Sequence, residues 1–156
     1  MYLRNIGPFT AGREIQSMYR KVSGKSAFAL TVNDRTGIEK LLRDGALIQS
    51  QNPKLLAGLL HHKLRSSRCE AQPADLSLVV SGSRVTYRIA DAAPRTGILT
   101  MSATPMPGCI MVASLLGATM IGMELLQTAP LMRDTHEIVT LTVLDVAPPR
   151  YIPLSV

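Results

Sequence analysis

The chain has 156 residues with 17 Lys and Arg against 11 Asp and Glu, a formal net charge of +6, 46% apolar residues and no Trp. That length holds one ordinary domain, or one small domain with an appendage, and the apolar share permits a core built from aliphatic and Met side chains. The two cysteines, Cys69 and Cys109, lie far apart with no Cys-x-x-Cys spacing, which excludes a disulfide scaffold and fits a reducing, cytoplasmic setting.

Residues 1–26 carry Arg4, Arg13, Arg20, Lys21 and Lys25 against Glu14 alone, so most of the basic excess sits at this end. Gly7, Pro8 and Gly24 interrupt the segment, and it has no unbroken apolar run of the kind a secretory signal needs. It reads as a flexible basic leader that buries too little surface to offset its ordering entropy. A polyanion-binding arm is the alternative.

Residues 27–32, AFALTV, form a short apolar run that leads to Asn33, a candidate N-cap, with Asp34 placed favourably at the positive end of a helix. Ile38, Leu41, Leu42 and Ile48 follow at helical spacing, so a first helix is expected over residues 34–48. Asn52 and Pro53 then punctuate the chain, one as a cap and the other at the first helical position. A second helix is expected over residues 53–68, with Leu56, Leu59, Leu60 and Leu64 as its stripe. The link Gln49, Ser50, Gln51 and Asn52 is short enough to require antiparallel neighbours, a helical hairpin over residues 27–69 whose tip is those four residues. Lys54, Lys63, Arg65 and Arg68, with His61 and His62, give the second helix a basic face that is either solvated or a dock for an acidic partner. His61 and His62 are adjacent and point apart around a helix, so they do not make an i, i+4 metal pair, and no metal site or cofactor is expected.

Residues 70–75 read as a polar linker containing Pro73, with a domain boundary there and a second domain over residues 76–150. Val85, Tyr87 and Ile89 alternate with Arg84, Thr86 and Arg88, the period of a half-buried strand, after a turn at Ser81, Gly82 and Ser83. Residues 96–102 are a second strand across a loop, and residues 104–108 a turn-rich connector. Residues 128–136, with Pro130, read as a loop. Residues 136–146, HEIVTLTVLDV, are the best strand in the chain, stopped by Pro148 and Pro149.

Residues 108–127, GCIMVASLLGATMIGMELLQ, are the most apolar stretch and carry only Glu124 as a charge. The uncharged part falls short of the roughly 20 apolar residues a bilayer requires and contains Ser114, Gly117, Thr119 and Gly122. A buried strand at residues 109–113, a turn at Ser114 and a short helix to Ile121 are expected; a membrane segment is the competing reading. The fold class that follows is α+β: a short antiparallel helical hairpin, then an antiparallel sheet with one short helix on a face.

The motif MVASLLGATMIGMEL, the strand pair before it and the opening Asn52, Pro53, Lys54, Leu55, Leu56 of the second helix resemble the Gre transcript-cleavage factors and their relative, the regulator of nucleoside diphosphate kinase (Rnk), with the Rnk branch the nearer. The resemblance implies an FKBP-like C-terminal domain and binding to RNA polymerase, with Ala113, Ser114 and Leu115 at the docking loop. The chain departs from the family at three places. The tip has no carboxylate where Gre factors carry acidic residues that help to hold a catalytic Mg²⁺, and a hard cation needs oxygen ligands. Leu115 stands where Pro is common, and Leu125, Leu126 and Gln127 stand where the family has Val-Gly-Asp/Gln.

The expected function is a non-enzymatic, monomeric RNA-polymerase-binding regulator that does not stimulate transcript cleavage. Two other readings are weighed. One is a nucleic-acid-binding module using the leader and second helix, for which no reading motif or aromatic platform is visible. The other is a peptidyl-prolyl isomerase, for which Phe9 and Phe28 lie outside the sheet domain and fold alone does not license function. Ser114 is flanked by Val112 and Leu116, so it is not a Gly-x-Ser-x-Gly nucleophile.

Overall fold

The computed structural model describes residues 28–71 and 76–149, so the leader, most of the linker and the C-terminal residues 150–156 lie outside the described residues. The described residues open with strand β1 (Ala29–Thr31), followed by helix α1 (Val32–Arg43), a 3₁₀ turn (Ala46–Gln49), helix α2 (Pro53–Ser66) and strand β2 (Arg68–Glu70). Strands β3 (Arg84–Ile89), β4 (Arg95–Thr100) and β5 (Cys109–Met111) come next, then helix α3 (Leu115–Met120) and strands β6 (Thr128–Met132) and β7 (Ile138–Ala147). The five later strands form one sheet in the order β5-β4-β3-β7-β6.

The cap of α1 is Thr31, not Asn33: the Thr31 hydroxyl accepts from the Asp34 N–H at 3.1 Å, and Asn33 lies inside the first turn. The apolar run before it is spent on β1, which pairs in parallel with β2 and places the helix start earlier than helical periodicity alone suggests. At its other end, α1 stops at Arg43 because Gly45 takes φ 71°, a left-handed conformation in which a glycine carries no steric penalty. Asn52 and Pro53 open α2 as the sequence indicates, with the Asn52 side chain accepting from the Leu55 N–H at 3.4 Å.

Two further expectations change. The sheet is mixed, because β4 and β5 run parallel while β3–β4, β3–β7 and β6–β7 are antiparallel. Residues 128–136 are not wholly loop. Thr128–Met132 is an edge strand whose Ala129 and Leu131 are buried, and Pro130 is tolerated because an edge strand leaves one side of its ladder open.

The two long helices and the sheet share one core. Phe28, Leu30, Ile38, Leu56 and Leu60 belong to the same buried cluster as Val79, Met120, Ile121, Met123 and Leu141. Polar contacts fasten the same junction. The Asp34 carboxylate accepts from the Ser81 N–H at 3.2 Å, the Ala29 N–H donates to the Gly122 carbonyl at 3.0 Å, and Arg68 pairs with Glu124 at 3.2 Å. The Arg35 guanidinium donates to the Leu64 and Ser67 carbonyls, both at 2.9 Å, so the start of α1 lies beside the end of α2. Among the described residues no helix is long and apolar enough to cross a membrane, and the apolar stretch of the sequence resolves into β5, a turn and the six-residue α3.

Candidate functional site

Helix α3 is positioned at both ends by side chains. At its start, the Ser114 hydroxyl accepts from the Gly117 N–H at 3.1 Å and donates to the Met111 carbonyl at 2.7 Å, which closes the turn out of β5. Gly117 is required by close approach: a Cβ there would fall on the Met111 carbonyl group, 2.6 Å from its carbon and 2.9 Å from the Val112 Cα. At the other end, Lys63 reaches across from α2, and its ammonium donates to the Thr119 and Ile121 carbonyls at 2.7 and 2.5 Å. The first belongs to the last turn of α3 and the second to its C-cap, where carbonyls have no partner within the helix and carry its negative end. The Phe28 ring lies against the third side of the ammonium, 3.8 Å from centroid to nitrogen.

The expected basic face of α2 is therefore smaller than the sequence suggests. Lys63 is fully buried and His62 is 7% exposed. Arg68 has left the helix for β2 and pairs with Glu124. Burial pushes Lys63 well below the ordinary lysine value. Burial first, then Arg65 and Lys63, push His62 down to about 4. The unfolded chain thus holds a proton on His62 between about pH 4 and 6.5 that the folded chain rejects, so stability falls as the pH drops through that window. The His62 contribution is about 2–3 kcal/mol. Asp34, whose carboxyl burial raises, acts with the opposite sign in the acidic range. Comparing the wild type with His62→Gln by chemical denaturation at pH 7 and pH 4.5 isolates the histidine, and the variant is expected to lose less stability on acidification.

A cleft of about 600 Å³ opens where α3 begins. Ala113, Ser114 and Leu115 line it together with Ser50 and Gln51, so the expected docking loop and the middle two residues of the expected tip face the same space. Asn52 does not line the cleft and is occupied as the cap of α2, and Gln49 ends the 3₁₀ turn. Ile89, Leu116, Leu131 and Met132 supply apolar floor, and Arg133, Asp134 and Thr135 complete one wall. Arg133 forms an exposed ion pair with Glu137 at 3.6 Å. Sequence reading missed this wall because it assigned these residues to a featureless loop. The signal was the alternation of Ala129 and Leu131, which places Met132 and the following turn at the end of a paired strand. Among the described residues no group of three or more His, Cys, Asp or Glu is placed to hold a metal ion.

No family model matches the chain, and no curated protein sequence matches it. Solved structures do. A prokaryotic transcription elongation factor GreA/GreB from Nitrosomonas europaea superposes with a TM-score of 0.56 at 13% identity, covering 80% of this chain and all of that one. The GreA factor homolog Gfh1 of Thermus thermophilus matches with a TM-score of 0.39 at 14% identity, over 78% of this chain and 99% of that one. Gfh1 of Thermus aquaticus gives 0.39 at 13% identity, over 81% of this chain and all of that one. The chain thus has the fold of the Nitrosomonas factor; at this identity the likeness is one of fold.

Proposed function

We propose that the chain is a non-enzymatic transcription regulator of the Gre type that docks on RNA polymerase through Ala113, Ser114 and Leu115. The observation that carries this reading is the cleft, on a fold shared with a GreA/GreB elongation factor, in which those residues and the Ser50–Gln51 tip converge. In this reading the sheet with α3 is an FKBP-like docking domain, and α1 with α2 is a short hairpin nearest to the Rnk branch. The hairpin is fixed to the sheet by Lys63, Asp34 and Arg68, so it acts as a rigid wall beside the dock, not as a swinging probe.

Ser50, Gln51 and Asn52 offer no carboxylate for a catalytic cation, and the nearest acid before them, Asp44, is the C-cap of α1, beyond the 3₁₀ turn. Added to backtracked elongation complexes, the chain is expected to bind without accelerating transcript cleavage. Cleavage stimulated above the polymerase's own rate would overturn the assignment of the tip as non-catalytic.

A further inference from the structure

With Lys63 and His62 buried and Arg68 paired in β2, what remains of the basic face of α2 is Lys54, His61 and Arg65, all exposed. Lys54, Ala57 and His61 follow the i, i+3, i+7 spacing of one helical face. All three line a second cavity, of about 290 Å³, which shares no lining residue with the cleft. Leu42 of α1 and Leu47 and Ile48 of the 3₁₀ turn supply further apolar lining. Successive side chains of a 3₁₀ turn point about 120° apart. With Leu47 packed into the core at 6% exposed, Ile48 is therefore turned outward and is 78% exposed.

The charge around this cavity has one sign. Residues 45–69 contain no Asp or Glu. Neither Glu39 nor Asp44 of α1 lines it, and Asp44 is paired with Arg43 at 3.9 Å. Among the described residues Lys54, His61 and Arg65 make no ion pair. Arg65 stands one turn beyond His61, about 16 Å from Lys54 along the axis of α2.

We propose that this cavity is a docking site for an acidic protein segment, in which one large apolar side chain packs on Leu42, Ile48 and Ala57 while neighbouring carboxylates face Lys54, His61 and Arg65. Complementarity of charge selects this occupant, because carboxylates answer a row of unpaired donors on an acid-free helix. The apolar lining supplies the anchor, since a few well-buried side chains carry most binding energy. The volume lies just below the roughly 300–1,000 Å³ of small-molecule cavities, which suits one side chain and not a cofactor. A nucleic acid fits less well: specific binding draws on roughly 6–10 phosphate contacts, and a phosphate backbone has nothing to match an exposed isoleucine. The proposal stands independently of polymerase docking through the cleft.

The test uses the full chain to select binders from a random-peptide library displayed on phage, and the enriched peptides are then synthesised for affinity measurements. They are expected to place a large apolar residue beside Asp or Glu, and to lose at least tenfold in affinity when those carboxylates are replaced by amides. Ile48→Ser and Lys54→Glu are each expected to weaken binding at least tenfold. Both variants should fold, because Ile48 is largely exposed and a carboxylate in the first turn of α2 suits the positive helix end, so Tm should stay within about 2 °C of the wild type. No enrichment of acidic peptides, or enriched peptides that bind both variants within twofold of the wild type, would overturn the proposal. DNA binding that falls steeply with salt and is lost in Lys54→Glu would assign this face to nucleic acid and overturn it as well.

Discussion

Gly117→Ala is expected to destabilise the protein by about 3 kcal/mol or more, a large value for one methyl group. The added Cβ would meet the Met111 carbonyl and the Val112 Cα, which are backbone atoms that cannot rotate away, so α3 would have to lift from β5. Because Ser114 donates to the same Met111 carbonyl, the shift would also open the turn that shapes the cleft. Gly108→Ala is the control. Gly108 has φ 76° but no atom within 4 Å of an added Cβ, so it should lose only about 1 kcal/mol from the left-handed conformation. Equal losses at the two positions, measured by urea denaturation, would show that close packing of α3 on β5 is not what Gly117 serves.

Lys63→Ala is expected to cost about 4 kcal/mol, since it leaves a cavity and strips the Thr119 and Ile121 carbonyls of their donor. Lys63→Met keeps the volume and removes the buried charge, so its cost should fall to about 2 kcal/mol, the share belonging to the unpaired carbonyls. A pH signature separates the charge from the packing. Burial holds the folded Lys63 below 10.5, so between its folded value and 10.5 the unfolded chain binds the extra proton. Stability from this group therefore rises with pH across that window and is incomplete below it. Lys63→Met should abolish that rise. A wild-type stability that instead falls through the window, with no difference from the variant, would mean that the ammonium is not desolvated at the α2–α3 junction.

Much of this arrangement was legible in the sequence and part of it was not, for physical reasons. Local signals carried well: Asn52 and Pro53 open α2, Ser114 starts α3, and the alternation of Val85 and Tyr87 marks β3, whose buried face those two residues form. Non-local pairing did not carry. The parallel union of β1 with β2 joins segments on either side of both helices, and nothing in AFALTV or in Arg68, Cys69 and Glu70 specifies that partner. The sequence places Lys63 on an exposed basic face, either solvated or a dock, because lysine is almost never fully buried. Its position gave the contrary sign: Leu56, Leu60 and Lys63 follow the i, i+4, i+7 spacing of a single helical face, and that face is the core. In the cleft, residues 113–115 and the tip were visible as separate candidates, but their convergence depends on how α2 packs on α3, which no local pattern encodes.

The most direct measurement is the affinity of the intact chain for purified core RNA polymerase at moderate salt, wild type against Leu115→Glu, with melting temperatures of both. Leu115 lines the cleft and opens α3, where a carboxylate suits the positive helix end, but it also packs half-buried against the core, so the melting temperatures establish that the variant folds. Wild-type binding that the variant loses at least tenfold, at matched Tm, is the expected result. A wild-type chain that does not bind the polymerase, or a variant that binds equally well, would contradict docking through the cleft.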